Sequence, residues 1–188
     1  MKQTLTAIRA FLFLSVVTGL IYPAFSTIIG LWVFPSESQG SLVLNPSGEA
    51  LGSRLIAQKF TDPRYFWSRP SAADYATVAS GASNLGPMSA NLKKIIEERK
   101  ATLQNTHSEA PTQPADLLMA SGSGLDPHIS VEAALFQTSR VASSRNLRAS
   151  NLLALVEKHT EGRQWGIFGE PRVNVLELNL ALDQIHKE

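Results

Sequence analysis

Residues 121–130 read Ser121-Gly122-Ser123-Gly124-Leu125-Asp126-Pro127-His128-Ile129-Ser130, which gathers hydroxyls, a carboxylate and an imidazole in one short stretch. These are the groups of nucleophilic hydrolysis, in which an imidazole takes the proton of a hydroxyl and a carboxylate orients the imidazole. That chemistry needs the groups ordered in space by a scaffold, with an oxyanion hole opposite, and adjacency in sequence does not provide the order. The same residues suit a turn. Gly122 and Gly124 permit positive φ, Asp126 and Ser130 can accept from neighbouring backbone N–H groups, and Pro127 starts the approach to a helix. The turn is the preferred reading, and a membrane-anchored exported hydrolase or binding module using His128 and a nearby serine is the alternative.

The remaining patterns point away from catalysis. The chain contains no GxxxxGK, no GxSxG and no Asp-Lys-Thr-Gly phosphorylation motif, so neither a P-loop, a nucleophile elbow nor the phosphorylation site of an ion pump is present. There is no cysteine, and His107, His128, His159 and His186 are scattered without an HExxH spacing. No thiolate nucleophile and no metal site is expected. With 17 basic and 16 acidic residues the charge is balanced, which gives no field for nucleic acid.

The element that must position everything else is at the N-terminus. Residues 10–36 carry no charged side chain, Lys2 and Arg9 precede them and Glu37 follows. A hydrocarbon core of roughly 30 Å needs about 20 apolar residues in a helix, and this run supplies them. The small-x-small candidate for signal cleavage, Ala24-Phe25-Ser26, lies inside the apolar run, so the segment reads as an uncleaved single-pass anchor rather than a signal peptide. Basic residues on the N-terminal side alone favour a cytoplasmic N-terminus over residues 1–9, an anchor helix over 10–36 and an extracytoplasmic domain over 37–188. Within the anchor, Ser15, Gly19, Ser26 and Gly30 follow one another at spacings of four, seven and four. On a regular helix these align as one stripe, with Pro23, Thr18 and Thr27 close by. Small residues let helices approach closely in lipid, so the stripe reads as a docking face. A single span cannot enclose an ion pathway unaided.

About 150 residues follow the anchor, enough for one domain with its own core. Residues 42–44 resemble a strand, Asn45-Pro46-Ser47-Gly48 supplies turn chemistry, and a second extended or partly helical segment over 49–60 completes a hairpin. Leu92, Ile95, Ile96 and Leu103 recur at helical spacing behind Ser89, which predicts a capped helix over 91–104. A polar connection with Pro111 and Pro114 occupies 105–115. Further helices are expected over 131–145 capped by Ser130, over 151–160 capped by Ser150 with a stop at Gly162, and over 175–185 behind Asn174 and Glu177, a near variant of the capping box. The fold class is α+β (mixed): a single extracytoplasmic domain preceded by one N-terminal transmembrane helix.

Five strings tie the sequence to a known family. Gly52-Ser53-Arg54-Leu55-Ile56-Ala57-Gln58, Tyr65-Phe66-Trp67-Ser68-Arg69-Pro70-Ser71-Ala72, Ser83-Asn84-Leu85-Gly86-Pro87, the 121–130 loop and Arg172-Val173-Asn174-Val175-Leu176-Glu177-Leu178-Asn179 resemble, in order, the KdpC family of the bacterial Kdp-type potassium-transporting P-type ATPase. The resemblance implies an accessory subunit without a catalytic site, cofactor or metal of its own. Its partners would be a channel-like subunit that carries potassium and a P-type subunit that hydrolyses ATP, all in the bacterial inner membrane. It further implies a catalytic chaperone that raises ATP affinity in the hydrolysing subunit, with a glutamine proposed for nucleotide contact; here that residue is Gln137. The chain has Thr138-Ser139 where the family usually shows Val-Pro, which makes the local backbone more compatible with a helix. Gln137 also follows the anchor, on the side that the basic residues assign to the exterior, out of reach of a cytoplasmic nucleotide site. Resemblance and topology therefore point in opposite directions on ATP.

Overall fold

The computed structural model describes residues 2–107 and 112–185. The chain forms two compact units, residues 1–51 and residues 52–188.

The first unit is dominated by one helical rod, Lys2–Val33, the one described helix long and apolar enough to cross a membrane. It consists of α1 (Lys2–Val16), a π-helical turn (Val17–Ile21) and α2 (Tyr22–Val33), and none of its residues is buried within the chain. The π turn has an identifiable cause. Pro23 has no N–H, and its ring would clash with the carbonyl of Gly19 four residues earlier. The chain relieves this by widening the preceding turn, where the Tyr22 N–H donates to Val17 O five residues back. Ser15 and Gly19 keep a four-residue spacing, as do Ser26 and Gly30. The extra residue in the π turn rotates the second pair about one helical position relative to the first, so the expected continuous stripe becomes two short faces.

The rod stops where Phe34 (φ −128°, ψ 59°) leaves helical geometry, as a residue preceding proline must. Pro35 then opens the single turn α3 (Pro35–Ser38). Strands β1 (Leu42–Leu44) and β2 (Ala50–Ser53) form a two-stranded sheet. The expected Asn45 turn joins them: its Oδ1 accepts from the N–H groups of Ser47 (2.9 Å) and Glu49 (2.8 Å), and Gly48 supplies a φ of +84°.

In the second unit a three-stranded antiparallel sheet has the order β3 (His128–Ser130), β5 (Arg172–Asn174), β4 (Thr160–Glu161). Ile129 faces Val173 in register, and Val173 faces Thr160. Strands β3 and β5 run directly into helices, α6 (Val131–Arg145) and α8 (Val175–Ile185), while α7 (Ala149–Lys158) leads into β4. The buried cluster joins Ile129 and Val173 of the sheet to Val141, Leu152, Val156, Leu178 and Leu182 of these helices and to Phe66 from the preceding coil. Complete burial of such a side chain contributes about 1.5–3 kcal/mol, so the sheet, though small, is held by its helices. Helix α4 (Ala90–Thr106) and the short α5 (Ala115–Leu118) complete the unit, with Leu103 and Leu117 joining the same core.

Capping follows the side chains. Ser89 Oγ accepts from Leu92 N–H (3.4 Å) and Ser130 Oγ from Ala133 N–H (3.0 Å). Helix α6 ends where Asn146 takes a left-handed conformation, which asparagine tolerates. Helix α7 differs from the sequence expectation: it starts at Ala149 behind Arg148, without a side-chain cap, and Ser150 lies inside it. Pro111 and residues 108–110 of the expected polar connection, together with His186, lie outside the described residues.

Candidate functional site

Between β2 and α4 the chain runs for more than 30 residues without a helix or strand. An irregular segment has no ladder in which to satisfy its backbone groups, and burying them unpaired is costly. Residues 62–67 resolve this by bonding to side chains of two helices. From α8, fully buried Asn179 receives the Phe66 N–H at 2.8 Å and donates back to the Phe66 carbonyl at 2.9 Å. From α6, fully buried Gln137 receives the Trp67 N–H at 2.7 Å and donates to the Trp67 carbonyl at 3.1 Å. Two carboxamides thus do for two successive residues what a neighbouring strand would do.

Gln137 has no hydrogen-bonding capacity left over. Its second amide hydrogen goes to Ala133 O (3.2 Å) and its oxygen also accepts from Arg140 Nη2 (2.8 Å). An amide offers two donors and two acceptor positions, and all four are engaged.

Arg140 extends the same cluster. Its guanidinium lies 4.1 Å over the Trp67 ring, donates through Nη1 to Pro63 O and donates through Nε to His107 Nε2 at 2.8 Å. Burial lowers the Arg140 pKa to about 10, opposed by the charge of Asp62, so it stays cationic at neutral pH. Its donation requires an unprotonated His107 Nε2 and so places the His107 proton on Nδ1, which faces Leu103 O at 3.2 Å. Burial and the Arg140 charge push His107 down to about 4, and its ring packs between Phe136 and Trp67 at centroid distances of 4.6 and 5.8 Å. One turn further along α6, Arg145 donates to Arg64 O (2.7 Å), pairs with Asp183 of α8 (2.7 Å) and lies 4.6 Å over the Tyr65 ring. The cations of this helix are therefore engaged with carbonyls, rings and an acid rather than presented to a ligand.

The 121–130 loop is structural in the same way. Asp126 Oδ1 accepts from His128 N–H (3.0 Å), and Asp126 Oδ2 pairs with Arg69 (3.0 Å). Burial raises the Asp126 pKa, but hydrogen bonds from His128 and the charges of Arg69 and His128 outweigh it and hold the carboxyl below its usual range. The His128 ring lies between two carboxylates, with Nδ1 3.5 Å from Asp126 and Nε2 3.9 Å from Glu161. Ser123 Oγ accepts from Leu125 N–H and Ser130 Oγ from Ala133 N–H. Gly124 has a φ of +70°, and a Cβ there would stand 2.9 Å from Gly81 O, so glycine is required on both counts. Asp126, Ser130 and Gly124 play the turn roles expected of them. Gly122 has open space around its Cβ position and lies outside the positive-φ region.

His107 and Arg140 are not evident from motif or spacing. A signal for two buried amides does exist: Asn179 lies four residues after Val175 and three before Leu182, so a lone amide sits on the apolar face of its helix, as Gln137 does between Ala133 and Val141. A polar side chain in that position needs buried partners.

A helical rod long and apolar enough to cross a membrane is followed by a small α+β unit in which Gln137 and Asn179 are engaged with the chain's own backbone. Comparison with known proteins gives the family. The model of the family described as K+-transporting ATPase, c chain, matches residues 4–184. Proteins named potassium-transporting ATPase KdpC subunit are similar over nearly their whole length. One from Dechloromonas aromatica is 48% identical over 186 residues, 96% of this chain and 96% of the relative. Others are from Polynucleobacter asymbioticus, 50% identical over 178 residues (92% and 93%), and from Synechocystis, 49% over 189 residues (97% and 98%). The chain belongs to the K+-transporting ATPase c-chain family.

Replacing Gln137 by alanine leaves the Trp67 backbone without partners and opens a cavity beside Arg140. Each buried unsatisfied group costs about 1–3 kcal/mol, so Gln137→Ala is expected to lower stability by about 3 kcal/mol. Denaturant unfolding of the detergent-solubilised full chain measures this, and a loss below about 1 kcal/mol would remove the clamp role.

Proposed function

We propose that this chain is the accessory subunit of an ATP-driven potassium uptake complex. It stabilises the assembly, while potassium passes through a channel-like subunit and a P-type subunit hydrolyses ATP. The observation that carries this reading is the match over residues 4–184 to a family named for one chain of a potassium-transporting ATPase. The polar groups of the 121–130 loop and of the Gln137 cluster, engaged with the chain's own backbone, agree with a bracing role.

In the membrane, contact with a partner helix runs through the Ser15 and Gly19 face and the Ser26 and Gly30 face. A Cβ at Gly19 meets nothing within 4 Å, and one at Gly30 meets only Ser38 Cβ, at 3.9 Å. The chain itself therefore tolerates larger residues at both positions, and a defect caused by them reports on a neighbour. Ser26 Oγ donates to Tyr22 O (2.9 Å), which removes its polarity from a packed face.

The topology follows from charge: Lys2 and Arg9 hold the N-terminus in the cytoplasm, and residues 37–188 lie outside the bacterial inner membrane. On that side, an influence on ATP affinity passes through another subunit. A direct nucleotide contact by Gln137 would require release of Trp67 and Arg140.

Two outcomes are expected. Gly19→Leu combined with Gly30→Leu lowers the share of this chain recovered with the other subunits several-fold, read as subunit stoichiometry and potassium-stimulated ATPase activity; unchanged values defeat the docking reading. The chain has no cysteine, so Ser144→Cys provides a single label site on exposed α6 surface. A membrane-impermeant maleimide should modify it in intact spheroplasts, and labelling only after lysis reverses the topology.

A further inference from the structure

The hairpin tip between β4 and β5, residues 162–170, exposes three large apolar side chains together: Trp165 is 89% exposed, Ile167 71% and Phe168 58%. Scattered apolar residues are ordinary on a surface, but a contiguous group marks an interaction site. The tip is also held by contacts of its own. Gln164 N–H donates to Phe168 O at 2.8 Å, Phe168 N–H returns to Gln164 O at 3.0 Å, and the Trp165 and Phe168 rings meet edge to face at 6.0 Å. Gly166 (φ +75°) and Gly169 (φ +77°) make the turn, and Trp165 itself adopts a φ of +53°. A bulky residue is costly in that region, and here the cost comes with outward display rather than burial.

We propose that this tip inserts into an apolar pocket on another protein subunit of the same transporter. The proposal rests on the accessory-subunit reading and adds the residues that make the contact. Charge favours a protein over the lipid surface. From Gln164 to Gly169 the tip carries no charge, and the charges at its base are matched in pairs, Arg163 with Glu170 at 2.7 Å and Arg172 with Glu161 at 3.0 Å. The tip therefore lacks the excess of cations with which interfacial segments hold anionic lipid. A tryptophan in a neutral apolar group, with paired charges at its base, has the composition of an interface hot spot. The paired hydrogen bonds between Gln164 and Phe168 hold the hairpin backbone, which lowers the ordering entropy that opposes docking.

The test uses the intact transporter in lipid nanodiscs, with Ile167 replaced by photoreactive benzoylphenylalanine. Illumination should give an adduct whose mass identifies a single other protein subunit. The double variant Trp165→Asn, Ile167→Asn keeps a residue suited to positive φ at position 165 and should lower recovery of this chain with the other subunits by about ten-fold, with its circular dichroism unchanged. An adduct to lipid alone overturns the proposal, as does full recovery of the double variant without an adduct. If the unaltered chain fails to co-purify with any other subunit, both this proposal and the accessory-subunit reading fall, whereas failure of the tip alone leaves that reading in place.

Discussion

Two buried carboxamides, Asn179 and Gln137, close the backbone hydrogen bonds of Phe66 and Trp67, and the rest of the folded unit depends on that closure. A three-stranded sheet with strands of two or three residues offers little backbone pairing. The long coil ahead of α4 can lie against the core only if its polar groups find partners there. Once they do, Phe66 can enter the hydrophobic cluster, Trp67 can receive the Arg140 guanidinium on its face, and His107 is held neutral beneath it. Removing one amide therefore affects packing, an aromatic–cation contact and a histidine tautomer together, which is how a connected polar network behaves in a low-dielectric interior.

The same arrangement limits what the unit can do. Side chains that resemble chemistry in sequence, the hydroxyls and carboxylate of the 121–130 loop and the cations of α6, are occupied in forming turns, caps and clamps. The contacts proposed for it lie at its surfaces: a helical rod with small residues on two short faces and an apolar hairpin tip.

Much of this is legible in the residues. The absence of charge from 10 to 36 marks the rod, and side-chain caps mark α4 and α6, because Ser89 and Ser130 act locally. Helix α8 is legible from Asn174, whose Oδ1 accepts from Glu177 N–H at 3.2 Å. Glu177 does not complete the capping box: its carboxylate pairs with Arg54 at 2.8 Å, a partner more than 100 positions away that local rules cannot see. Strands β3 and β4 are hidden for a related reason, since two or three residues carry no periodicity and exist only because β5 lies between them. Ser150 fails as a cap because the turn at Asn146 starts the next helix earlier. The π turn follows from Pro23, whereas a continuous small-residue stripe presumes a regular period through it. Gln137 stands out through family resemblance, while its partners at Trp67 lie 70 residues away and only the fold brings them together.

Native-state hydrogen exchange at the Phe66 and Trp67 amides of the full chain tests the central claim most directly. Clamped by Asn179 and Gln137, both amides should exchange as slowly as those inside α6, although neither belongs to a helix or strand. Exchange at the rate of an open coil would contradict the account, because the segment on which the core depends would then be unfastened.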